Sequence, residues 1–325
     1  MKNRDANQSS VFMSRLKAIL GAPVAKVYLM MLLLYVASGL LEPNYFSYGH
    51  IMQLLVMASF LGILAMGQTL VILTGGIDLS VSYALNLGAV IMTQMTIEQG
   101  SLAAVVTVII VGLLIGTLNG LGITYLNIHP LVMTLAMSSI LKSVTYVYTG
   151  GTPKGTAPDW LRTIATESFL GVKIAIWVWL ALSVFVIVLL TKTTIGRKIY
   201  AIGNNNTVSL LSGIKNNRVL VLVYALSGLF AVLSGLMITG FSGLSYLGMG
   251  DIYLLPSIAA VVIGGTSILG GRGGYTGTIA GAVIIYVLMT ILTILDLKDA
   301  GRQIIYGLVI LFVLILYGNG KKLRA

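Results

Sequence analysis

Long apolar runs alternate along this chain with short polar or glycine-rich breaks. Runs long enough to cross a bilayer fall at Val24 to Leu41, Ile51 to Leu73, Leu79 to Ile97, Leu102 to Leu126, Pro130 to Tyr148, Ile174 to Leu190, Val219 to Thr239, Leu254 to Leu269, Tyr275 to Leu295 and Ile304 to Tyr317. About 20 apolar residues wound as a helix match the hydrocarbon thickness, so the pattern predicts an all-α polytopic membrane protein of about ten spans. One polar island interrupts it, Thr191 to Arg218, which holds Lys192, Arg197, Lys198, Lys215 and Arg218 and no acid. Inside the island, Ile202 to Ile214 reads as a short amphipathic helix. Gly203, Asn204, Asn205 and Asn206 open it, Val208, Leu210 and Leu211 form its apolar face, and Ser212 and Gly213 close it. Its flanking cations keep this helix out of hydrocarbon. It therefore lies on the membrane surface, either against lipid or as a docking element for another protein.

Composition supports the membrane class, with 57% hydrophobic and 9% charged residues among 325. The net charge of +11 punctuates apolar runs instead of covering one soluble face, which argues against nucleic acid. With no cysteine and only His50 and His129, disulfides, thiolate metal sites and a histidine metal cage are not expected. The chain has no G-x-x-x-x-G-K-[ST] phosphate loop, no Gly-x-Ser-x-Gly elbow and no His-Glu-x-x-His. The expectation is a protein without a catalytic site, metal or bound cofactor of its own.

Counting Lys and Arg in alternate loops predicts orientation, because cytoplasmic loops carry the excess. With the N-terminus inside, fourteen fall inside and five outside, with Lys142 inside span five. This scheme makes residues 1–23 a cytoplasmic N-terminal segment and residues 24–317 the membrane domain. Residues 149–173 become an outer loop, 191–218 a cytoplasmic segment and 318–325 a cytoplasmic tail. Asp251 counts among the outer acids, and Lys142 is close enough to the outer boundary to snorkel to it. The outer loop suits a gate, a docking surface or a solvated cap. Small-residue ladders at Gly112, Gly116 and Gly120, at Ser227, Ala231 and Gly235, and at Gly273, Gly277 and Gly281 read as helix-packing seams. Two breaks lie within the membrane zone, at Gly75-Gly76-Ile77-Asp78 and at Gly264-Gly265 through Gly270-Gly271. Irregular backbone at that depth needs protein or a water-filled cavity around it. Asp78, two residues before Ser80, reads as a helix cap, with a direct solute or proton role as the alternative.

Several of these segments resemble the membrane subunits of bacterial ABC importers of the ribose, galactose and xylose type. The resemblance rests on the run from Gly67 to Val81, on Ile128 with Pro130 and Thr134-Leu135, on Thr194 to Arg197 with Tyr200 to Gly203, on Ser212-Gly213-Ile214, and on the run from Ile258 to Gly271 with Gly277-Thr278 and Gly281. It covers nearly the whole chain from about residue 45 onward. It implies a type II ABC importer-like fold with both termini cytoplasmic, in the inner (plasma) membrane of a bacterium. Two permease copies would pair with two ABC ATPase subunits that bind ATP and Mg, and a periplasmic solute-binding protein would deliver the substrate. The island helix becomes the coupling helix that docks on the ATPase. Family members often carry an acid, an Ala-Ala pair and a base there, where this chain has Asn206, Thr207-Val208 and Leu210. Docking through apolar contact and asparagine caps is the expectation that follows.

The leading expectation is a permease that imports a sugar or sugar-like solute. Gln68, Asn86, Asn119, Thr134 and Thr266 are candidates for the pathway, each with an alternative as an interhelical hydrogen bond. A permease for nucleosides or branched-chain amino acids is the rival within the class. A proton-coupled carrier or passive channel is the rival outside it.

Overall fold

A computed structural model of the chain describes residues 23–40, 43–298, 300–308 and 311. The predicted tail at 318–325, nearly all of the N-terminal segment and most of the tenth span lie outside the described residues. At the places of the other predicted spans stand helices α1 (Pro23–Gly39), α2 (Tyr48–Leu73), α3 (Val81–Gln99), α4 (Ser101–Tyr125), α5 (Pro130–Thr149), α7 (Ile174–Lys192), α10 (Asn216–Ser242), α11 (Leu254–Ile263) and α12 (Tyr275–Ile294). Between them stand α6 (Asp159–Thr166), α8 (Thr194–Asn204) and α9 (Asn206–Leu211). A two-stranded hairpin pairs β1 (Ser168–Phe169) with β2 (Val172–Lys173). Six of the described helices are long and apolar enough to cross a membrane, namely α2, α4, α5, α7, α10 and α12.

The bundle is built around α2 and α10. α10 packs on α4, α2 and α3, and α12 packs on α11, α2 and α1. Glycine ladders make the closest of these approaches, as lipid-embedded helices without a hydrophobic drive between them require. A Cβ at Gly116 of α4 would overlap the Tyr224 carbonyl of α10, and one at Gly120 would lie 2.6 Å from the Val221 Cα. Gly277 and Gly281 seat α12 on Gly264 and Ala260 in the same way. Gly116→Ala is expected to lower stability by about 1–3 kcal/mol, read as the thermal midpoint of the detergent-solubilised protein. An unchanged midpoint would mean that the α4–α10 seam opens freely.

The eighth predicted span needs correcting. The helix at its place, α11, has ten residues, and a helix rising 1.5 Å per residue then covers about 15 Å, half of a bilayer core. Irregular chain from Gly243 to Gly250 and a 3-10 turn at Asp251–Tyr253 lead into α11. Ser245 Oγ pairs with Thr93 Oγ1 at 2.7 Å. Asn86 Nδ2 donates to the Tyr246 carbonyl at 2.8 Å, and Asn86 Oδ1 accepts from Gly248 N at 3.1 Å. A Cβ at Gly250 would overlap the Ser82 carbonyl. From Thr93 to Ser82 the segment descends along α3 by about 16 Å. Asn86, an unexpected polar residue in an apolar helix, thus supplies the hydrogen bonds that irregular backbone at this depth cannot take from lipid. Asp251 is carried with the segment to the level of Tyr83, near the start of α3.

Candidate functional site

The island folds as two helices, not the single one predicted. Thr193 caps α8, its Oγ1 accepting from Gly196 N at 3.2 Å, and Ile199 and Ile202 are buried against the bundle. The chain leaves helical geometry at Asn205, whose Oδ1 accepts from Thr207 N and Val208 N, both at 3.0 Å, and so starts α9. Of the three asparagines offered as caps, Asn205 is the one that acts, satisfying two of the donors a helix start leaves open. Ser212 donates its hydroxyl to the Val208 carbonyl at 2.8 Å, and Gly213, at φ +79°, turns the chain so that Ile214 N reaches the Ser209 carbonyl at 3.1 Å.

α9 is a short finger with an apolar tip. Val208, Leu210 and Leu211 are 56%, 62% and 82% exposed. Lys192, Arg197, Lys198, Lys215 and Arg218 are all exposed around it. The base of the finger is locked by Asn216, a buried residue that the sequence pattern does not single out. Its Nδ2, with two N–H groups, has three acceptors within reach: the Asn206 carbonyl at 2.9 Å, Asn206 Oδ1 at 2.6 Å and Ser209 Oγ at 2.8 Å.

Beneath α8 the glycine-rich stretches of three separate segments meet. A Cβ at Gly203 would overlap the Leu73 carbonyl, the last residue of α2, and lie 2.5 Å from Gly271 N. Gly271 N in turn donates to that Leu73 carbonyl at 2.9 Å. Gly270 sits where a Cβ would be 2.9 Å from Gly75 N and 3.0 Å from the Gly203 carbonyl, and a Cβ at Gly271 would be 2.8 Å from Asn204 Cα. Gly75, Gly265, Gly270 and Gly271 all have positive φ, which side chains disfavour. Gly264 meets Gly277 backbone. Tyr200 of α8 ties the knot on its other side, donating from its hydroxyl to the Gly273 carbonyl at 2.9 Å. Burial raises the pKa of that hydroxyl.

The break between α2 and α3 hangs from the same knot. Asp78 is 1% exposed, and its Oδ1 accepts from Ser80 N at 2.9 Å and Ser80 Oγ at 2.6 Å while Oδ2 accepts from Ser227 Oγ at 2.8 Å. The acid therefore closes a turn two residues long, with Ser80 at the cap position of α3, instead of capping the helix itself. Three of the pathway candidates bind this turn. Gln68 Nε2 donates to the Asp78 carbonyl at 2.5 Å, Asn119 Nδ2 to Ser80 Oγ at 2.8 Å and Thr134 Oγ1 to the Ile77 carbonyl at 3.2 Å. Thr266 Oγ1 accepts from Gly274 N at 3.2 Å, and Asn86 holds the irregular segment already described. All five are at most 1% exposed in the single chain. Each stands as an internal hydrogen-bonding residue here, and contact with a solute would require a conformation that uncovers it.

Between this turn and the base of α9 lies a cavity of about 330 Å³, lined by Thr124, Asn127, His129, Asn206, Asn217 and Tyr224. The Tyr224 hydroxyl points at Gly76 and has no hydrogen-bond partner among the described residues. The turn, the knot and the finger thus touch one another along one side while keeping open volume on the other.

Residues 50–314 match the family described as branched-chain amino acid transport system / permease component. Among curated proteins, the chain is 35% identical over 303 residues to the ribose import permease protein RbsC of Haemophilus influenzae, covering 91% of this chain and 94% of the relative. It is 36% identical over 292 residues to the protein of the same name in Bacillus subtilis, covering 89% and 91%. It is 32% identical over 292 residues to the autoinducer 2 import system permease protein LsrC of Escherichia coli O157:H7, covering 90% and 85%. No solved structure matches the chain.

Proposed function

We propose a function on one premise: this chain belongs to the branched-chain amino acid transport system / permease component family. It is the membrane permease subunit of an ABC importer, a multi-pass protein of the bacterial inner membrane that works with a separate ATPase and a solute-binding protein. The solute is a sugar or a sugar-like molecule. Relatives that import ribose and autoinducer 2 support this over an amino acid, although the family description speaks of amino acids. Two copies of the chain form the pathway, surrounded by membrane lipid. ATP and Mg bind on the ATPase and not on this chain.

The observation that carries the mechanism is the contact of Gly203 with both Leu73 and Gly271. In this reading the face bearing α8 and α9 is cytoplasmic, and so are both termini, in keeping with the Lys and Arg distribution. The finger, Gly203 to Gly213, is the ATPase-coupling element. Its exposed apolar tip enters a cleft on the ATPase, and the cations around it orient the docking. A six-residue helix locked at its base by Asn216 moves as a rigid lever, so displacement at the tip reaches α8 and the knot. From there it reaches the end of α2, the 74–80 turn and the loop into α12 at once. The cavity beside the turn gives these segments room to shift.

The test is ATP-driven uptake of D-ribose in proteoliposomes that contain this chain, its ATPase and its binding protein. Uptake that needs no ATPase would identify a carrier or channel instead. At the tip, Leu211→Asp places a charge where 82% of an apolar side chain awaits a partner. ATPase recovered by co-purification is expected to fall about 10-fold, an interface loss of about 1.4 kcal/mol. Unchanged recovery would remove α9 from the docking surface.

A further inference from the structure

Apart from Asp78 and the knot, a second group of ionisable residues lies at membrane depth. Lys142 is twelve residues into α5, about 18 Å from the start of that helix and about 10 Å from its end. Its ammonium does not reach for the nearer end. It turns back over the ring of Tyr83, 5.7 Å from the centroid, and Tyr83 is only two residues into α3. The Tyr83 hydroxyl donates to Asp251 Oδ2 at 3.3 Å, on the segment that Asn86 holds against α3. Cation, ring and carboxylate form a chain drawn from three separate elements.

A polar stripe runs along α5 beside them, flanked by exposed Ile140, Val144 and Val147. Ser139, Lys142, Ser143 and Tyr146 are all exposed and fall within two turns of helix. Both serine hydroxyls donate backward along the helix, Ser139 to the Leu135 carbonyl at 3.2 Å and Ser143 to the Ser139 carbonyl at 3.1 Å, which leaves their oxygens able to accept. An exposed ammonium and carboxylate at this depth are expensive against lipid, and such groups instead face protein or water.

Resting on the permease reading, we propose that Lys142, Tyr83 and Asp251, with Ser139, Ser143 and Tyr146 beside them, line the solute path and contact a polyhydroxylated solute. The chemistry suits one. A carboxylate accepts from adjacent hydroxyls, an ammonium donates to hydroxyl or ring oxygens, and tyrosine rings offer flat faces to the C–H side of a sugar. Transport also needs weak, multiple contacts, which a spread wall of this kind gives.

The chain has no cysteine, so single thiols report directly. In membranes holding the full transporter, Ser139→Cys and Ser143→Cys should react with a charged methanethiosulfonate reagent at least 10-fold faster than Val184→Cys, an exposed apolar position of α7. Asp251→Asn and Lys142→Met should each lower D-ribose uptake at least 10-fold, with ATPase assembly and ATP hydrolysis retained. Thiols no faster than the Val184→Cys control, uptake at the wild-type level, or loss of assembly in step with uptake would each overturn the proposal. If wild-type transporter shows no ATP-driven uptake of D-ribose, the choice of solute fails instead, and the thiol rates alone decide whether this wall is wet.

Discussion

Gly203→Ala is expected to leave the permease bound to its ATPase while ATP-driven uptake falls at least 10-fold. The added methyl would overlap the Leu73 carbonyl and stand 2.5 Å from Gly271 N, the two groups that hydrogen-bond to each other at 2.9 Å. All of its near neighbours are backbone, so none can swing aside as a side chain would. Forcing a methyl into such a contact costs about 1–3 kcal/mol. Coupling between distant sites is of the same size, about 1–3 kcal/mol, so a distortion confined to this point is enough to uncouple finger from spans. Uptake and ATP hydrolysis measured together in proteoliposomes separate the outcomes. Hydrolysis without transport is the expected result. Wild-type uptake would show that force passes elsewhere, and joint loss of assembly and uptake would reduce Gly203 to a folding residue.

The second large effect is on stability. Asp78→Ala would leave Ser80 N, Ser80 Oγ and Ser227 Oγ without their acceptor in a site that is 1% exposed. Buried donors left unpaired cost about 1–3 kcal/mol each, and hydroxyls that find other acceptors bring the expected total to roughly 3–5 kcal/mol. The thermal midpoint in detergent should drop by roughly 10 °C. Asp78→Asn keeps one acceptor oxygen toward Ser80 and offers an amide to the Ser227 oxygen, so most of the loss should return. If the asparagine variant is as stable as wild type yet does not transport, the carboxylate has a role in solute or proton movement beyond closing its turn.

Much of this architecture is legible in the sequence because it rests on local patterns. Apolar run length placed the helices, glycine clusters marked the breaks at Gly75-Gly76 and Gly264-Gly265, and the acid-free island from Thr191 to Arg218 stood out by charge alone. Its asparagines pointed to a capped helix, although their division between the end of α8 and the cap of α9 depends on one backbone turn at Asn205. What stayed hidden depends on pairing across long sequence separations. Asn216 looks like any polar residue before a span until Asn206 folds back onto it. The convergence of Gly203, Gly271 and Leu73 joins residues about 70 and 130 positions apart, and no periodicity encodes it. The segment Gly243 to Tyr253 contains Leu244, Tyr246, Leu247 and Met249, apolar enough to look like an ordinary loop edge. Asn86, 160 residues before Tyr246, is the sign that it runs within the protein.

That segment also bears on how the protein is made. Sideways release into lipid during synthesis selects helical stretches of about 20 apolar residues, and α11 with its ten offers no such stretch. Bare backbone ahead of it has no place in hydrocarbon until Asn86 and Thr93 are there to receive it. The stretch between α10 and α12 is therefore expected to settle only once α3 is in place to receive it.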